Sequence, residues 1–287
     1  IGDPFFASVT EAIEEAVRQR GLFLVIVSAS TSEQERAALH GLLHRSVCGL
    51  VLVPSSLDYG REDVRLRGNA VPVVFVDRPP IGMQADTVLI ENEEVTFEAT
   101  RHLLGHGHRR IAFVATSLET YTVRNRFDGY LRALKEASIE IDESLVLALR
   151  RAGDIPDALG QLLGASEPPT AVLSANARAS IRAVHELHRI GRTDVAFVSF
   201  DDFETADALF PAVTVVRQDP AEMGRIAAEL LLGRLDGDTS PPRRVLLQTQ
   251  LLARGSGELP PTASRTPATA APPHDVSAST GRGRTQQ

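Results

Sequence analysis

The sequence predicts an α/β protein built on two mostly parallel sheets. Short continuous apolar runs recur along the chain: LFLVIV (22–27), GLVLVP (49–54), VPVVFVD (71–77), RIAFVAT (110–116), TAVLSA (170–175) and DVAFVSF (194–200). Such runs suit strands covered on both faces, as in a parallel sheet. Amphipathic helical stretches lie between them, and this alternation marks the α/β class. The number of elements exceeds what one sheet holds neatly and fits two.

The first helix is announced by IGDPFFASVTEAIEEAVRQRG. Asp3 can cap the first amides, and Pro4 suits the first helical position. Phe6, Val9, Ile13 and Val17 form its apolar stripe, and Gly21 stops it. Ser32 and Glu35 make a capping-box pattern ahead of Leu39, Leu42 and Leu43. Asn92 can cap EEVTFEATRHLLG. His102, His106 and His108 near the end of that helix answer its dipole, with Gly105 or Gly107 as the stop. RNRFDGYLRALKEA and PAEMGRIAAELLLGRL are amphipathic, the second opened by Pro220. From Gly255 the composition turns to Pro, Ala, Ser and Thr with almost no large apolar side chain. Residues 256–287 are expected to be a disordered tail.

Ligands of open parallel sheets lie beyond the carboxyl ends of the strands. The polar residues there are Ser28 and Ser30, Ser55 and Ser56, Asp77 and Arg78, Thr116 and Ser117, Ser174 and Asn176, and Asp201 and Asp202. A hydrolytic pair between Asp77 and Asp201 or Asp202 is conceivable. Binding a hydroxylated ligand is the simpler use of these groups. The net charge of −7 opposes direct grip on a phosphate backbone. A single cysteine, Cys48, excludes an internal disulfide and suits a reducing compartment. Beside an apolar strand, Cys48 reads as a small buried residue. No apolar run approaches the roughly 20 residues of a membrane helix, and no basic-then-apolar leader is visible. There is no Walker A loop, no G-x-G-x-x-G after a strand, no G-x-S-x-G elbow and no H-E-x-x-H. His40 and His44 have a zinc-compatible spacing but no obvious third ligand, so exposed helix histidines are the simpler reading. No metal, cofactor or catalytic constellation is expected, and therefore no enzyme.

Taken in order, the segments DPFFASVTEAIEEAVRQRG, CGLVLVPSS, VPVVFVDRPP, VLIENEEVTFEATRHLLGHGHRRIAFVAT, RNRFDGYLRAL, PPTAVLSANA, VAFVSFDD and PAVTVVRQDPAEMGRIAAELLLGRLDG resemble the effector-binding region of the LacI/GalR family of bacterial transcription regulators, from about residue 2 to 255. The resemblance implies a type I periplasmic-binding-protein-like fold of two similar Rossmann-like subdomains joined by crossing strands. It places residues 1–106 and 219–237 in the first subdomain and 107–218 and 243–255 in the second, with a small-molecule effector in the cleft. It implies a sugar or sugar derivative as effector, a cytoplasmic homodimer, and no membrane. Operator DNA would be read only through an N-terminal helix-turn-helix headpiece lying ahead of Ile1. Ile1-Gly2 then correspond to the end of a buried strand. A solute receptor of a transporter is the competing reading, disfavoured by GHRRIAFV and RQDPAEMGRIAAELL.

Site roles carry over residue by residue. Phe5 and Phe6 match the apolar side of the family's cleft, Arg126 the arginine of R-x-x-G-[YFW], Asn176 a donor–acceptor amide, and Asp201 the aspartate that accepts from ligand hydroxyls or amines. Asp77 and Gln218 are further candidates near the cleft or crossover. Each has a plainer use: Phe5 or Phe6 in the core, Arg126 paired with Asp128 or Glu119, and Asn176, Asp201 or Asp202 as caps. The chain also departs from the family. Asn176 is followed by Ala177 and Arg178 rather than an aspartate, Glu91-Asn92 replaces an Asp-Asn pair, and Cys48 stands for an aspartate. Loss of a carboxylate beside a new cation would favour an anionic effector, such as a sugar phosphate.

Overall fold

The computed structural model describes residues 3–55, 59 and 71–262. In chain order its elements are α1 (Pro4–Arg18), α2 (Ser32–His44), β1 (Leu50–Leu52), β2 (Val73–Val76), β3 (Asp86–Ile90), α3 (Asn92–Gly105), β4 (Ile111–Ala115), α4 (Tyr121–Glu136) and β5 (Val146–Ala148). There follow α5 (Ile155–Leu163), β6 (Ala171–Ser174), α6 (Ala177–Arg189), β7 (Ala196–Phe200), β8 (Thr214–Arg217), α7 (Pro220–Leu235), β9 (Arg244–Leu247) and β10 (Gln250–Leu252). They build two sheets, ordered β1-β2-β3-β9 and β10-β8-β7-β6-β4-β5. Every pairing is parallel except β10 on β8. Strands β2, β3, β4, β6 and β7 are buried along their whole length, as coverage of both sheet faces requires.

The chain crosses between the sheets three times: after β3, after β8, and between β9 and β10. Helix α3, expected with the first sheet, packs on α4 and on β6, β8 and β10 of the second. Within 243–255, β9 extends the first sheet through its ladder with β3, and only β10 joins the second.

Two glycines set the helix contacts. A Cβ on Gly129 of α4 would lie 2.2 Å from the Glu93 carbonyl oxygen of α3, and one on Gly224 of α7 would lie 2.3 Å from that of Val9 in α1. Gly129→Ala must force α3 and α4 apart. It is expected to cost about 1–3 kcal/mol, read as a lower urea midpoint at unchanged slope.

Several expectations are corrected. LFLVIV forms no strand. It has no regular secondary structure, and residues 23–29 make no hydrogen bond with the other described residues. Phe23 is 96% exposed and Val25 64%. A strand exists only through a neighbour's backbone groups, and β1, the end of its sheet, supplies none to this run. Thr31, not Ser32, caps α2, accepting from the Gln34 amide at 3.2 Å. Asn92 is the first helical residue of α3 and caps nothing with its side chain. Cys48 is exposed, because it sits in the turn before β1.

The segment 256–262 is ordered, against the expectation of a tail from 256. The Ser256 hydroxyl donates to Phe197 O and accepts from the Thr214 amide. Glu258 accepts from the Thr214 hydroxyl at 2.8 Å and meets His102 Nε2 at 2.5 Å. His108 Nε2–H donates to Leu259 O, and its Nδ1 accepts from the Thr170 hydroxyl, both at 2.8 Å. Burial holds the His108 pKa below the usual imidazole range, in keeping with that neutral tautomer. A few buried hydrogen bonds thus fix a stretch whose composition alone reads as unstructured. The rest of the expected tail, 263–287, lies outside the described residues, as do Ile1, Gly2 and Ser56.

Candidate functional site: a cleft between the two sheets

The carboxyl ends of both sheets meet in one cluster. After β2, Asp77 adopts φ 68° and donates its amide to Val88 O of β3 at 3.0 Å. After β7, Asp201 adopts φ 70° and donates its amide to Val216 O of β8, also at 3.0 Å. Each sheet therefore ends in the same strained turn, and aspartate is among the few side chains that tolerate a left-handed backbone. Burial pushes both carboxyls up from the usual carboxylate range. Arg78 and then Arg126 pull Asp77 back, and Arg126 and Gln218 pull Asp201 back.

Arg126 stands between them. It is 3% exposed, so neither expected surface partner reaches it; Glu119 pairs with Arg150 instead. Its Nε–H donates to Asn92 Oδ1 and its Nη1–H to Ala175 O, each at 2.7 Å. The Phe200 ring lies under the guanidinium, 3.4 Å from Cζ to the ring centroid. Burial lowers its pKa, and the charges of Asp201 and Asp77 oppose that shift.

Beside this cluster lies a cavity of about 250 Å³, lined among others by Phe5, Ala177, Asp201, Phe203, Arg217 and Gln218. The starts of α1, α6 and α7 all reach it, through Pro4, Ala177 and Pro220. Gln218 is 9% exposed. Its Nε2 donates to Asp201, and its Oε1 is the one buried side-chain polar atom among the described residues without a partner. Phe5 forms part of the wall, and Phe6 packs edge-on against it with ring centroids 5.1 Å apart.

Asn176 does the plainer job. Its Oδ1 caps α6 by accepting from the Ala179 amide at 3.0 Å, and its Nδ2 donates to the Thr116 hydroxyl. Asp202 holds Arg254 through two bonds, at 2.8 and 2.6 Å, and accepts from the Phe203 amide. Arg178 is no lone cation, since its Nε lies 4.0 Å from the carboxylate of Asp3. A larger cavity, about 370 Å³, lies at the opposite ends of β2 and β3. There Arg234 is committed to Asp86 and to the Asp238 and Ser240 carbonyls, so it has little left to offer a ligand. Among the described residues, no group of three His, Cys, Asp or Glu side chains is placed to hold a metal, and no helix is long and apolar enough to cross a membrane.

Comparison with known proteins follows the same lines. The family described as periplasmic binding protein-like domain matches residues 100–257. The transcriptional regulator CelR of Thermobifida fusca is 33% identical over 267 residues, covering 89% of this chain and 76% of CelR. The chain belongs to the periplasmic-binding-protein-like family, among the LacI-type regulators. A solved CelR–cellobiose complex is 31% identical, with a TM-score of 0.74, covering 88% of this chain and 79% of that one. A LacI family regulator from Enterococcus faecium with bound ribose shares the fold at a TM-score of 0.81 and 22% identity, covering 92% of this chain and 97% of that one.

This LacI-type chain thus corresponds to the effector-binding region of its relatives. The cluster unites Asp77, Arg126 and Asp201, and the adjoining cavity unites Phe5, Asp201 and Gln218. Asn92 was missed as a site residue. Its position after an apolar run suggested a cap, and only the packing of α3 on α4 brings it to Arg126.

Proposed function

We propose that the chain is the sensing part of a transcription regulator and that its ligand is a small, neutral, hydroxyl-rich molecule of sugar type. The unpartnered Gln218 Oε1 carries this reading. A buried acceptor left unsatisfied costs about 1–3 kcal/mol, so the cavity calls for a donor, and the adjacent Asp201 carboxylate calls for more. Arg126 offers donors to ligand oxygens, and Phe5, backed by Phe6, offers an apolar face to a sugar ring. Asp77 adds a second carboxylate beside Arg126, while Asn176 is spent on its cap and on Thr116. The modest volume suits a single ring or a short saccharide. Because Asp3 answers Arg178, the anionic effector suggested by the sequence is the weaker choice. The cellobiose and ribose bound by the two relatives agree with a sugar.

Ligand binding biases an equilibrium between relative positions of the two lobes. In a cytoplasmic homodimer, that bias reaches operator DNA through a separate DNA-reading headpiece, and the coupling is reciprocal. Titration calorimetry with D-ribose, D-glucose, cellobiose and ribose 5-phosphate tests the ligand class. At least one neutral sugar is expected to bind, and Gln218→Leu to weaken it by about tenfold, as for one lost hydrogen bond to a buried group. Preference for the phosphate, or indifference to all four, overturns the reading.

A further inference from the structure

We infer that Asn92 is the positioning residue for Arg126: its carboxamide fixes the guanidinium edge, so that the remaining N–H groups are held for the ligand. The inference rests on the reading of the cleft as a ligand site. An arginine has five N–H donors in one plane. Here Nε–H and one Nη1–H are committed, at 2.7 Å each, to Asn92 Oδ1 and Ala175 O, while the Phe200 ring fixes the plane from below. Three donors remain. Of the three anchors, the Ala175 carbonyl belongs to the backbone and Phe200 restrains only the tilt. Asn92 alone fixes rotation within the plane by a side chain that evolution or mutation can change.

The residue type also has a reason. Asn92 is 4% exposed, and its own Nδ2 reaches Ile90 O only at 3.5 Å. Its chief bond is therefore the one to Arg126. A neutral acceptor orients the guanidinium without consuming its charge, which stays available to Asp77, Asp201 and ligand oxygens. Asn92 lies directly after the first crossing, between β3 of one sheet and the body of α3 on the other. A change in that crossing is thereby transmitted to the angle of Arg126. Since Asn92 does not cap α3, replacing its side chain leaves the helix start intact.

The test uses the whole chain labelled at arginine Nε. The Arg126 signal, assigned by its loss in Arg126→Lys, is expected to exchange slowly in the parent and in Asn92→Asp, which keeps the acceptor. In Asn92→Leu it is expected to merge with solvent-exchanging arginines while circular dichroism reports a folded chain. An unchanged signal in Asn92→Leu overturns the inference. In calorimetry with D-ribose and cellobiose, Asn92→Leu should weaken whichever sugar the parent binds by roughly 10- to 100-fold, and Asn92→Asp by less; equal affinities for parent and Asn92→Leu overturn it as well. Failure of the parent to bind either sugar counts against the sugar reading alone, and the exchange measurement then decides for Asn92.

Discussion

Replacement of Arg126 by methionine is expected to lower stability at pH 7 by about 3–5 kcal/mol, the usual consequence of leaving a buried charge without its partner. The side chain is of similar length, so the loss comes from Asp77, which is buried, and Asp201, which is half-buried; the charges of both act on the guanidinium. The effect has a pH signature. Burial already raises both carboxyls, and removing Arg126 raises them further. A carboxyl whose folded pKa lies above its unfolded value binds more protons in the folded state. Its penalty is fully present above the folded pKa and fades as pH falls toward the unfolded value, near 3.9. The variant should therefore regain part of its lost stability, relative to the parent, when urea unfolding is repeated at pH 5. An equal deficit at both pH values would show that the two aspartates do not depend on Arg126.

The second large effect concerns the run LFLVIV. Phe23, Val25, Ile26 and Val27 are all at least 49% exposed, and Val53 just beyond β1 is 37% exposed. An exposed apolar segment of β-branched residues with unpaired backbone groups is a template for other strands. The chain is expected to form large species that grow with concentration in sedimentation velocity. Phe23→Lys with Val25→Lys should suppress them while leaving the far-ultraviolet spectrum unchanged. Amides 23–29 should exchange within seconds, whereas those of β4, β6 and β7 should be protected by hours. Protection of 23–29 equal to that of β6 would mean that a partner strand covers them.

The sheet architecture was legible because parallel strands buried on two faces write themselves as apolar runs, and β2, β4, β6 and β7 lie where those runs are. LFLVIV reads the same way yet forms no ladder, since pairing depends on a neighbour that composition does not encode. Asp77, Arg126 and Asp201 were legible from their places after strands and in a family motif. So was the cap that Asn176 makes on α6, its plainer use; the bond from Arg126 to Asn92 and the docking of Ser256 were not. These two join residues 34 and 59 positions apart, and a short-range pattern cannot see partners at such separations. The packing of α3 was hidden for a related reason: its apolar spacing suits either sheet, and the glycine that admits it beside α4, Gly129, sits a helix away.

The three crossings also set the order in which the molecule can be made. The second lobe is nearly continuous, from Asn92 to Arg217, and lacks only β10 and the segment through Thr262. The first lobe has its opening strands early but waits for α7 and β9, more than a hundred residues later. During synthesis, the later-coded lobe can assemble while the earlier-coded one is still incomplete, with the apolar faces of α1, β2 and β3 uncovered. A fragment ending before Leu247 would carry that exposure permanently. The sensing half of such a regulator is therefore indivisible in translation even though it is bipartite in space.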